Sequence, residues 1–264
     1  MNKRYLIAMS LMTVVLMLAG CGKKREAVIM AGSTAFQPFA EKLADQFMTQ
    51  NPGINVTVQG GGSAVGIQSA LSGTAQIGMA DLLELPEEAK NLTATKVARD
   101  GIAMVVNPGN RIEGLTLKQV REIFNGTINN WKQVGGEDRA ITVVSREAGS
   151  GTRTSFEQIV GDISLIKEAL IQDSNGTIRE TVANDANAVG YLSHGLINEK
   201  IKPVNLDGVE CTTEEIMSGK YKLVRPVFLL TLEQPQGAIK QVIDYMLSAE
   251  GQETIKSSGL IPVK

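Results

Sequence analysis

The sequence predicts an α/β protein in which sheets are flanked by helices. Apolar runs of strand length alternate with helix-like runs to the end of the chain, which is typical of strands connected through helices. The composition agrees, because 43% of the 264 residues are hydrophobic and 27 are glycine, as in a globular α/β protein. Residues 21–264 are enough for one large domain or two medium-sized lobes.

The predicted elements follow one another as alternating strands and helices. Strands are predicted near residues 27–31, 54–59, 75–79, 102–106, 140–144, 188–192, 201–204 and 223–230. Helices are predicted near residues 37–49, 63–72, 117–124, 152–160, 162–172, 176–184, 211–218, 235–248 and 250–257. Turn residues interrupt 105–110, and Pro226 places the strand 223–230 at an edge or crossing position. We expect these two stretches to cross between two lobes.

Three strand-to-helix turns, at residues 32–39, 60–67 and 145–156, are rich in glycine and small hydroxyl residues. The first N–H groups of a helix have no internal partner, and the helix dipole places partial positive charge there, so an anion is a natural ligand. Arg146 in the third turn adds a planar, forked cation. One such turn alone is more often an ordinary helix cap. If the three converge, they form an anion site that needs no metal.

The first residues predict export from the cytoplasm. Lys3 and Arg4 precede an apolar run at residues 5–17, in the order of a secretory signal peptide, and this run is short for a transmembrane helix. The next four residues, ending at Cys21, read Leu-Ala-Gly-Cys and resemble a bacterial lipobox. That resemblance implies cleavage after residue 20, lipid such as palmitate on the Cys21 thiol, and a polar membrane tether at residues 21–26. A plain secretory signal with a free cysteine is the alternative.

Charge and cysteine content exclude several classes of function. The formal net charge of −2 argues against nucleic acid as the main partner, although it permits a small anion bound by local N–H groups. If Cys21 carries lipid, Cys211 has no disulfide partner, and no Cys/His cluster supports a zinc site. The single histidine, His194, fits a surface or turn residue better than a catalyst. We therefore predict no metal and no cofactor.

Motifs along nearly the whole chain carry a family resemblance. They are Gly32-Ser33-Thr34-Ala35-Phe36-Gln37-Pro38, Gln59-Gly60-Gly61-Gly62-Ser63, Ile77-Gly78-Met79-Ala80-Asp81, Asp100-Gly101-Ile102-Ala103, Val106-Asn107-Pro108, Ile128-Asn129-Asn130-Trp131, Ser145-Arg146-Glu147, Gly149-Ser150-Gly151-Thr152-Arg153 and Arg225-Pro226. In their order and spacing they resemble the substrate-binding lipoprotein of the bacterial phosphate ABC transporter, the PstS family.

The resemblance implies a two-lobe periplasmic-binding-protein fold, type II-like, with mixed sheets flanked by helices and a two-segment hinge. Lobe 1 would comprise residues 27–104 and 226–264, and lobe 2 residues 105–225. The protein would be a monomer that binds inorganic phosphate in the cleft and delivers it to the permease and ATPase subunits of the transporter. It would face outside the cytoplasm, anchored to the cell membrane by its lipid.

The same resemblance implies which residues bind phosphate. They are Thr34, Ala35, Phe36, Ser63 and Asp81 from one lobe and Arg146, Ser150, Gly151 and Thr152 from the other. Two positions depart from the family pattern. Ala35 stands where some members have threonine, and Cys211 stands where proline is common. The first departure removes a hydroxyl from the first turn, and the second lies outside the motifs.

The predicted roles follow from the chemistry of phosphate, which carries a proton near neutral pH. Arg146 can bind two ligand oxygens in a forked pair. Asp81 can accept the phosphate's proton, whereas sulfate has no proton to offer and would leave a buried carboxylate unpaired, at a cost of roughly several kcal/mol. Without the resemblance, Asp81 reads as a cap or turn residue. Another tetrahedral oxyanion, such as sulfate, remains the alternative ligand.

An enzyme is the rival class. Ser150 and His194 could suggest a serine hydrolase, but Ala148 and Thr152 occupy the positions where a nucleophile elbow has glycine. The glycines at 60–62 are followed neither by the Gly-Lys-Ser/Thr of a phosphate loop nor by the further glycine of a dinucleotide fingerprint. We therefore predict that the protein is not an enzyme.

Overall fold

The computed structural model describes residues 25–263. The predicted signal peptide, residues 1–20, and the predicted lipid site, Cys21, lie outside the described residues. Of the predicted tether, Arg25 and Glu26 are described, and Glu26 already begins the first strand. Between residues 25 and 263 no helix is both long and apolar enough to cross a membrane.

Strands and helices alternate along the described chain. The strands are β1 (Glu26–Gly32), β2 (Ile54–Gln59), β3 (Ile77–Ala80), β4 (Thr93–Val106), β5 (Gly114–Leu115), β6 (Thr142–Arg146), β7 (Leu170–Gln172), β8 (Ala188–Ser193), β9 (Lys202–Pro203), β10 (Asn205–Leu206), β11 (Val224–Thr231) and β12 (Ile261–Pro262). The helices are α1 (Gln37–Gln50), α2 (Ser63–Ser72), α3 (Leu117–Phe124), α4 (Gly151–Val160), α5 (Asn175–Asn184), α6 (Thr213–Met217), α7 (Gly237–Met246) and α8 (Ala249–Ser257). Short 3-10 helices lie at Glu87–Asn91, Trp131–Val134 and His194–Leu196.

The strands form a mixed sheet in the order β2-β1-β3-β11-β4-β8-β6-β7. Strand β1 is parallel to β2 and β3, whereas β11 is antiparallel to both β3 and β4. Strands β9 and β12 also pair with β4, and β5 pairs with β10 in a separate small sheet. The parallel strands connected through α1 and α2 place the N-termini of both helices at one edge of the sheet, as α/β connections require.

The long strand β4 carries the sheet from one lobe into the other. Its residues 93–101 pair with β11, and Ile102–Val106 pair with β8. The prediction that residues 105–110 form a crossing was therefore wrong, because Val105 and Val106 lie inside the second lobe's pairing. Alternating polar residues at 93–101 conceal the first half of this strand in the sequence. The predicted lobe boundaries stay predictions, and the change of pairing falls a few residues earlier in β4.

Two large apolar cores lie on either side of this crossing. One contains Phe124, Phe156 and Tyr191, with the rings of Phe156 and Tyr191 stacked at 4.1 Å between centroids. The other packs Leu43 and Phe47 of α1 against the strands of the first lobe. Each lobe buries its own core, and Leu196 packs against both cores.

Two predicted features differ from the structure in an instructive way. The predicted helix at 162–172 is absent, because Ser164 N donates to Asn125 Oδ1 and Ile166 N donates to Phe124 O, and residues 170–172 join β6 as strand β7. Strand β11 is interior rather than an edge strand. At Pro226 this strand pairs only with β4, because β3 meets β11 at residues 228–230, so a residue without an N–H group is tolerated there. That residues 223–230 cross between the lobes stays a prediction.

Candidate functional site

The glycine-rich turns that precede α2 and α4 meet across the cleft. Ala64 N donates to Gly149 O at 3.1 Å, so the two lobes are joined by a backbone hydrogen bond. Gly151 lies directly against the opposite lobe. A Cβ atom there would clash with Ser63 Oγ and would lie 2.6 Å from Asp81 O. Glycine is therefore required at this point of closest approach.

Asp81 lies at the centre of this contact, immediately after β3, and only 2% of its surface is exposed. The Ser63 hydroxyl donates to Asp81 Oδ1 at 2.6 Å, and Asp81 N donates back to Ser63 Oγ at 3.1 Å. From the other lobe, Thr152 Oγ1 donates to Asp81 Oδ2 at 3.3 Å, and Ser155 Oγ donates to the Asp81 carbonyl at 3.3 Å. The carboxylate thus accepts hydrogen bonds from both lobes.

Arg146 ends strand β6 and is almost fully buried, with 1% of its surface exposed. Its Nη2 donates to Thr34 Oγ1 at 3.2 Å, which is another contact between the lobes. Glu147 accepts from Arg146 Nε at 2.9 Å and from Nη2 at 2.8 Å. Arg146 Nη1 is buried without a hydrogen-bond partner among residues 25–263. A buried, charged donor without an acceptor is costly, so this nitrogen indicates an anionic ligand.

In the first turn, Thr34 has clearer contacts with the other lobe than its two neighbours, Ala35 and Phe36. Thr34 Oγ1 accepts from Arg146 and from Asn175 Nδ2, the latter at 3.3 Å, so its own hydroxyl proton can point elsewhere. Ala35 and Phe36 are buried at the start of α1, as the anion-site prediction needs. Phe36 N, however, donates to Ser33 Oγ at 3.1 Å, and so this N–H is engaged within the turn.

The start of α4 presents Ser150, Gly151 and Thr152 to the cleft. Ser150 is the N-cap, and its Oγ accepts from Arg153 N at 3.2 Å. This bond uses a lone pair of the hydroxyl and leaves its proton to donate. All nine predicted residues therefore lie at or beside the junction of the lobes, while the assignment of each as a ligand remains a prediction.

Sequence reasoning missed the ionic partners of two predicted residues. Arg225, fully buried in β11, places Nη2 2.7 Å from Asp81 Oδ2 and 2.9 Å from Asp100 Oδ2. Burial raises the pKa of Asp100, an effect that Arg225 partly opposes. Glu147, the partner of Arg146, was not singled out either. The usable signal was a charged residue inside an apolar strand, since such a residue is rarely buried unless it is paired.

Comparison with known proteins identifies the family. A family model described as a PBP superfamily domain matches residues 19–250. The phosphate-binding protein PstS of Bacillus subtilis is 32% identical over an alignment of 286 residues, which covers 100% of this chain and 95% of that protein. The chain belongs to the PstS family. The PstS protein of Borreliella burgdorferi is 26% identical to this chain, and the alignment covers 100% of both proteins.

Solved structures agree with this membership in the PstS family. A Clostridium perfringens protein solved with bound phosphate is 37% identical, with a TM-score of 0.88 and coverage of 90% of this chain and 100% of that one. An ABC-type phosphate transport receptor from Vibrio cholerae is 34% identical, with a TM-score of 0.74 and coverage of 89% and 99%. The predicted periplasmic-binding-protein fold is confirmed.

Membership of the PstS family also confirms that the chain is a substrate-binding transport protein and not an enzyme. The two residues of the rival hydrolase hypothesis have other partners, because His194 Nδ1 lies 3.0 Å from Gly259 O and Ser150 caps α4. Within residues 25–263, no group of three or more His, Cys, Asp or Glu side chains is arranged to hold a metal ion.

Proposed function

We propose that this chain binds inorganic phosphate between its lobes and delivers it to the permease and ATPase subunits of an ABC transporter. The observation that carries the proposal is the buried guanidinium of Arg146, whose Nη1 has no partner within residues 25–263, at the junction of the lobes. The names of the PstS relatives and the phosphate bound in the Clostridium perfringens structure support phosphate as the ligand.

Hydrogen-bond capacity supports a protonated oxyanion. An ionised carboxylate has about four acceptor positions. Asp81 uses three of them, for Ser63, Thr152 and Arg225. One position remains for a proton carried by the ligand, as phosphate near neutral pH requires. The hydroxyl of Ser63 already donates to Asp81, so we assign its contribution to the backbone N–H at the start of α2.

Directed donors, not net charge, attract the anion in this proposal. Arg146 and Arg225 lie beside the three carboxylates of Glu147, Asp81 and Asp100, so the cations are outnumbered by one. The remaining donors are neutral. We assign them to Thr34 and Ala35 in the first turn, and to the Ser150 hydroxyl and the backbone N–H groups of Gly151 and Thr152 at the start of α4. The N–H of Phe36 would join them by exchanging Ser33 Oγ for the ligand. Neutral donors with fixed geometry select by shape and protonation, which suits discrimination between oxyanions of similar size.

Location and anchoring complete the proposal. The chain would act as a monomer outside the cytoplasm, attached to the cell membrane through lipid on Cys21 after removal of residues 1–20. Two lobes that close around a ligand provide the signal that a permease can read. Mass spectrometry of the membrane fraction tests the anchor. An N-terminal peptide that begins at acylated Cys21 is expected, and an unmodified Cys21 would refute lipidation.

Titration calorimetry with the purified chain tests the ligand. Phosphate should give saturable binding, and sulfate should bind at least about a hundredfold more weakly, because a buried carboxylate without a proton to accept costs roughly 3 kcal/mol. Equal or tighter binding of sulfate would replace phosphate by another tetrahedral oxyanion. Absence of binding by phosphate would overturn the proposed function.

A further inference from the structure

Three buried charged side chains form a cluster beside the proposed phosphate site. Asp81 follows β3, Asp100 lies in β4 and Arg225 lies in β11, and none is more than 2% exposed. Arg225 and Asp100 are directly opposite each other in the antiparallel register. Their position is the point where β4 and β11 leave the first lobe, because the next residues of β4 pair with β8.

One nitrogen atom joins the two carboxylates. Arg225 Nη2 lies 2.7 Å from Asp81 Oδ2 and 2.9 Å from Asp100 Oδ2. Asp100 Oδ1 in turn accepts from Ser193 Oγ of the second lobe, at 2.9 Å. The carboxylate of Asp81 at the ligand site is therefore connected, through a single guanidinium, to both strands that cross between the lobes.

We propose that Arg225 is a positioning residue for oxyanion discrimination: its guanidinium holds the Asp81 carboxylate in the orientation in which Asp81 accepts a proton from the ligand. This inference rests on the proposed function. Two carboxylates that share a buried site repel each other, and the guanidinium between them holds both in place. Without it, the Asp81 carboxylate would turn away from Asp100 and from the ligand's proton, and the site would lose its penalty against sulfate.

The surroundings leave Arg225 as the one cation in contact with this carboxylate among the described residues. The Asp81 carboxylate faces Arg225, Asp100 and neutral hydroxyls. Asp100 faces Arg225, Ser193 and, beyond them, the Cys211 thiol. Burial raises the pKa of Cys211 to about 12, so this thiol is neutral throughout the useful pH range.

The test compares phosphate and sulfate binding to the full chain and its variants, by calorimetry at pH 6, 7 and 8. For Arg225→Gln, the ratio of phosphate affinity to sulfate affinity should fall at least about tenfold at each pH, the equivalent of about 1.4 kcal/mol. Each variant's ratio is divided by the wild-type ratio at the same pH, which cancels the effect of the ligand's own ionisation on its affinity. A surface variant, Arg139→Gln, is the control, since Arg139 pairs with Glu137 in solvent.

Rescue separates a charge effect from a loss of packing. Both measured contacts of Arg225 use a single nitrogen atom, so Arg225→Lys can supply the same charge at one point. We expect its ratio of phosphate affinity to sulfate affinity to stay within about threefold of the wild-type value, a difference of less than about 1 kcal/mol. A ratio as low as that of Arg225→Gln would contradict positioning by charge.

A double variant tests whether Arg225 acts through Asp81. In an Asp81→Asn background there is no carboxylate at residue 81 for Arg225 to orient, so Arg225→Gln should change the ratio no further. Arg225 Nε and Nη1 have no hydrogen-bond partner within residues 25–263, and a direct contact of these atoms with the ligand would make the two effects additive. Additive effects would overturn the proposal.

Folding is the remaining risk, because Arg225→Gln leaves two buried carboxylates without a cation. If that variant does not fold, Asp100→Asn/Arg225→Gln is compared with Asp100→Asn. Because the neutral side chain introduced by Asp100→Asn no longer repels Asp81, a smaller fall in the ratio, in the same direction, is expected. Different results would refute the two hypotheses. If the wild-type protein does not bind phosphate, the proposed function is refuted. If Arg225→Gln has the same ratio of phosphate affinity to sulfate affinity as the wild type, only this inference is refuted.

Discussion

Two buried arginines lie at the junction of the lobes, and they differ in the partners that neutralise them. Arg146, in the second lobe, pairs with Glu147, whose side chain is 30% exposed, and it reaches across to the first lobe. Arg225, in the crossing strand, pairs with two aspartates that are each 2% exposed. An exposed partner can exchange its hydrogen bonds for water, whereas a buried one cannot.

This difference assigns the two arginines different tasks. The charge of Arg225 is already required by two carboxylates, so its removal disturbs the protein before any ligand arrives. Arg146 has a partner that water can replace, and it reaches Thr34 in the turn before α1. Each arginine has at least one nitrogen atom without an acceptor within residues 25–263, but Arg225 is held by two buried carboxylates. Arg146 is therefore suited to contact an anion, and Arg225 to support the residue that tests the anion's protonation.

The largest expected effect is the loss of phosphate binding in Arg146→Ala. Removing a buried charged contact costs roughly 3 kcal/mol, which corresponds to a decrease in affinity of at least about a hundredfold. Calorimetry measures it, with the exposed Arg139→Ala as the control. Affinity within about threefold of wild type, which is less than 1 kcal/mol, would remove Arg146 from the site and erase the contrast with Arg225.

A smaller effect tests whether the lobes must approach as closely as they do here. In Gly151→Ala the added Cβ meets Ser63 Oγ and Asp81 O, so closure requires a shift of one lobe. In the matched control Gly149→Ala, the Cβ would lie 3.4 Å from Ala64 Cβ, which is ordinary contact. Overpacking of this kind costs about 1–3 kcal/mol, so we expect at least tenfold weaker phosphate binding for Gly151→Ala.

The two glycine variants also separate closure from folding. Both positions lie outside the left-handed region of backbone conformation, so alanine strains neither backbone. The clash at Gly151 is with the opposite lobe, and thermal unfolding without ligand should therefore change little in either variant. Equal phosphate affinity for the two variants would show that the close approach is not needed for binding.

The features that could be predicted from the sequence are those that depend on local residue pattern, such as the three strand-to-helix turns. The turns at 32–39, 60–67 and 145–156 follow strands and begin helices because glycine and hydroxyl residues favour such turns, and they meet at the cleft. Ionic partners could not be predicted this way. Arg225 and Asp81 are far apart in the chain, and only the sheet order brings them to 2.7 Å.

Local pattern also failed where tertiary contacts compete with it. Residues 162–172 have helical periodicity, but backbone N–H groups of this segment bind the end of α3 instead, and an edge strand forms at 170–172. The polar first half of β4 is stabilised by β11 and β12 on its two sides, partners that its own sequence does not reveal.

The smallest predicted effect concerns which of its two aspartate partners Arg225 stabilises more strongly. Burial raises the pKa of Asp100 above its ordinary value, with Arg225 opposing the shift. A raised pKa means that Asp100 contributes most to stability below its unfolded pKa, near 3.9, and that this contribution is lost as pH rises through the folded value. Asp100→Asn lacks this titration. Its amide can still accept from Arg225 and bond with Ser193.

The free energy of unfolding, measured in urea without ligand between pH 4.5 and 7.5, should therefore favour wild type most at low pH. Its advantage over Asp100→Asn should decrease toward neutral pH, because the raised pKa of Asp100 favours the protonated native state at low pH. An advantage that grows with pH would mean that Asp100 is the carboxylate stabilised by Arg225. Arg225 would then stabilise Asp81 less than Asp100. The different tasks of the two arginines would be supported only by the contacts of Arg146.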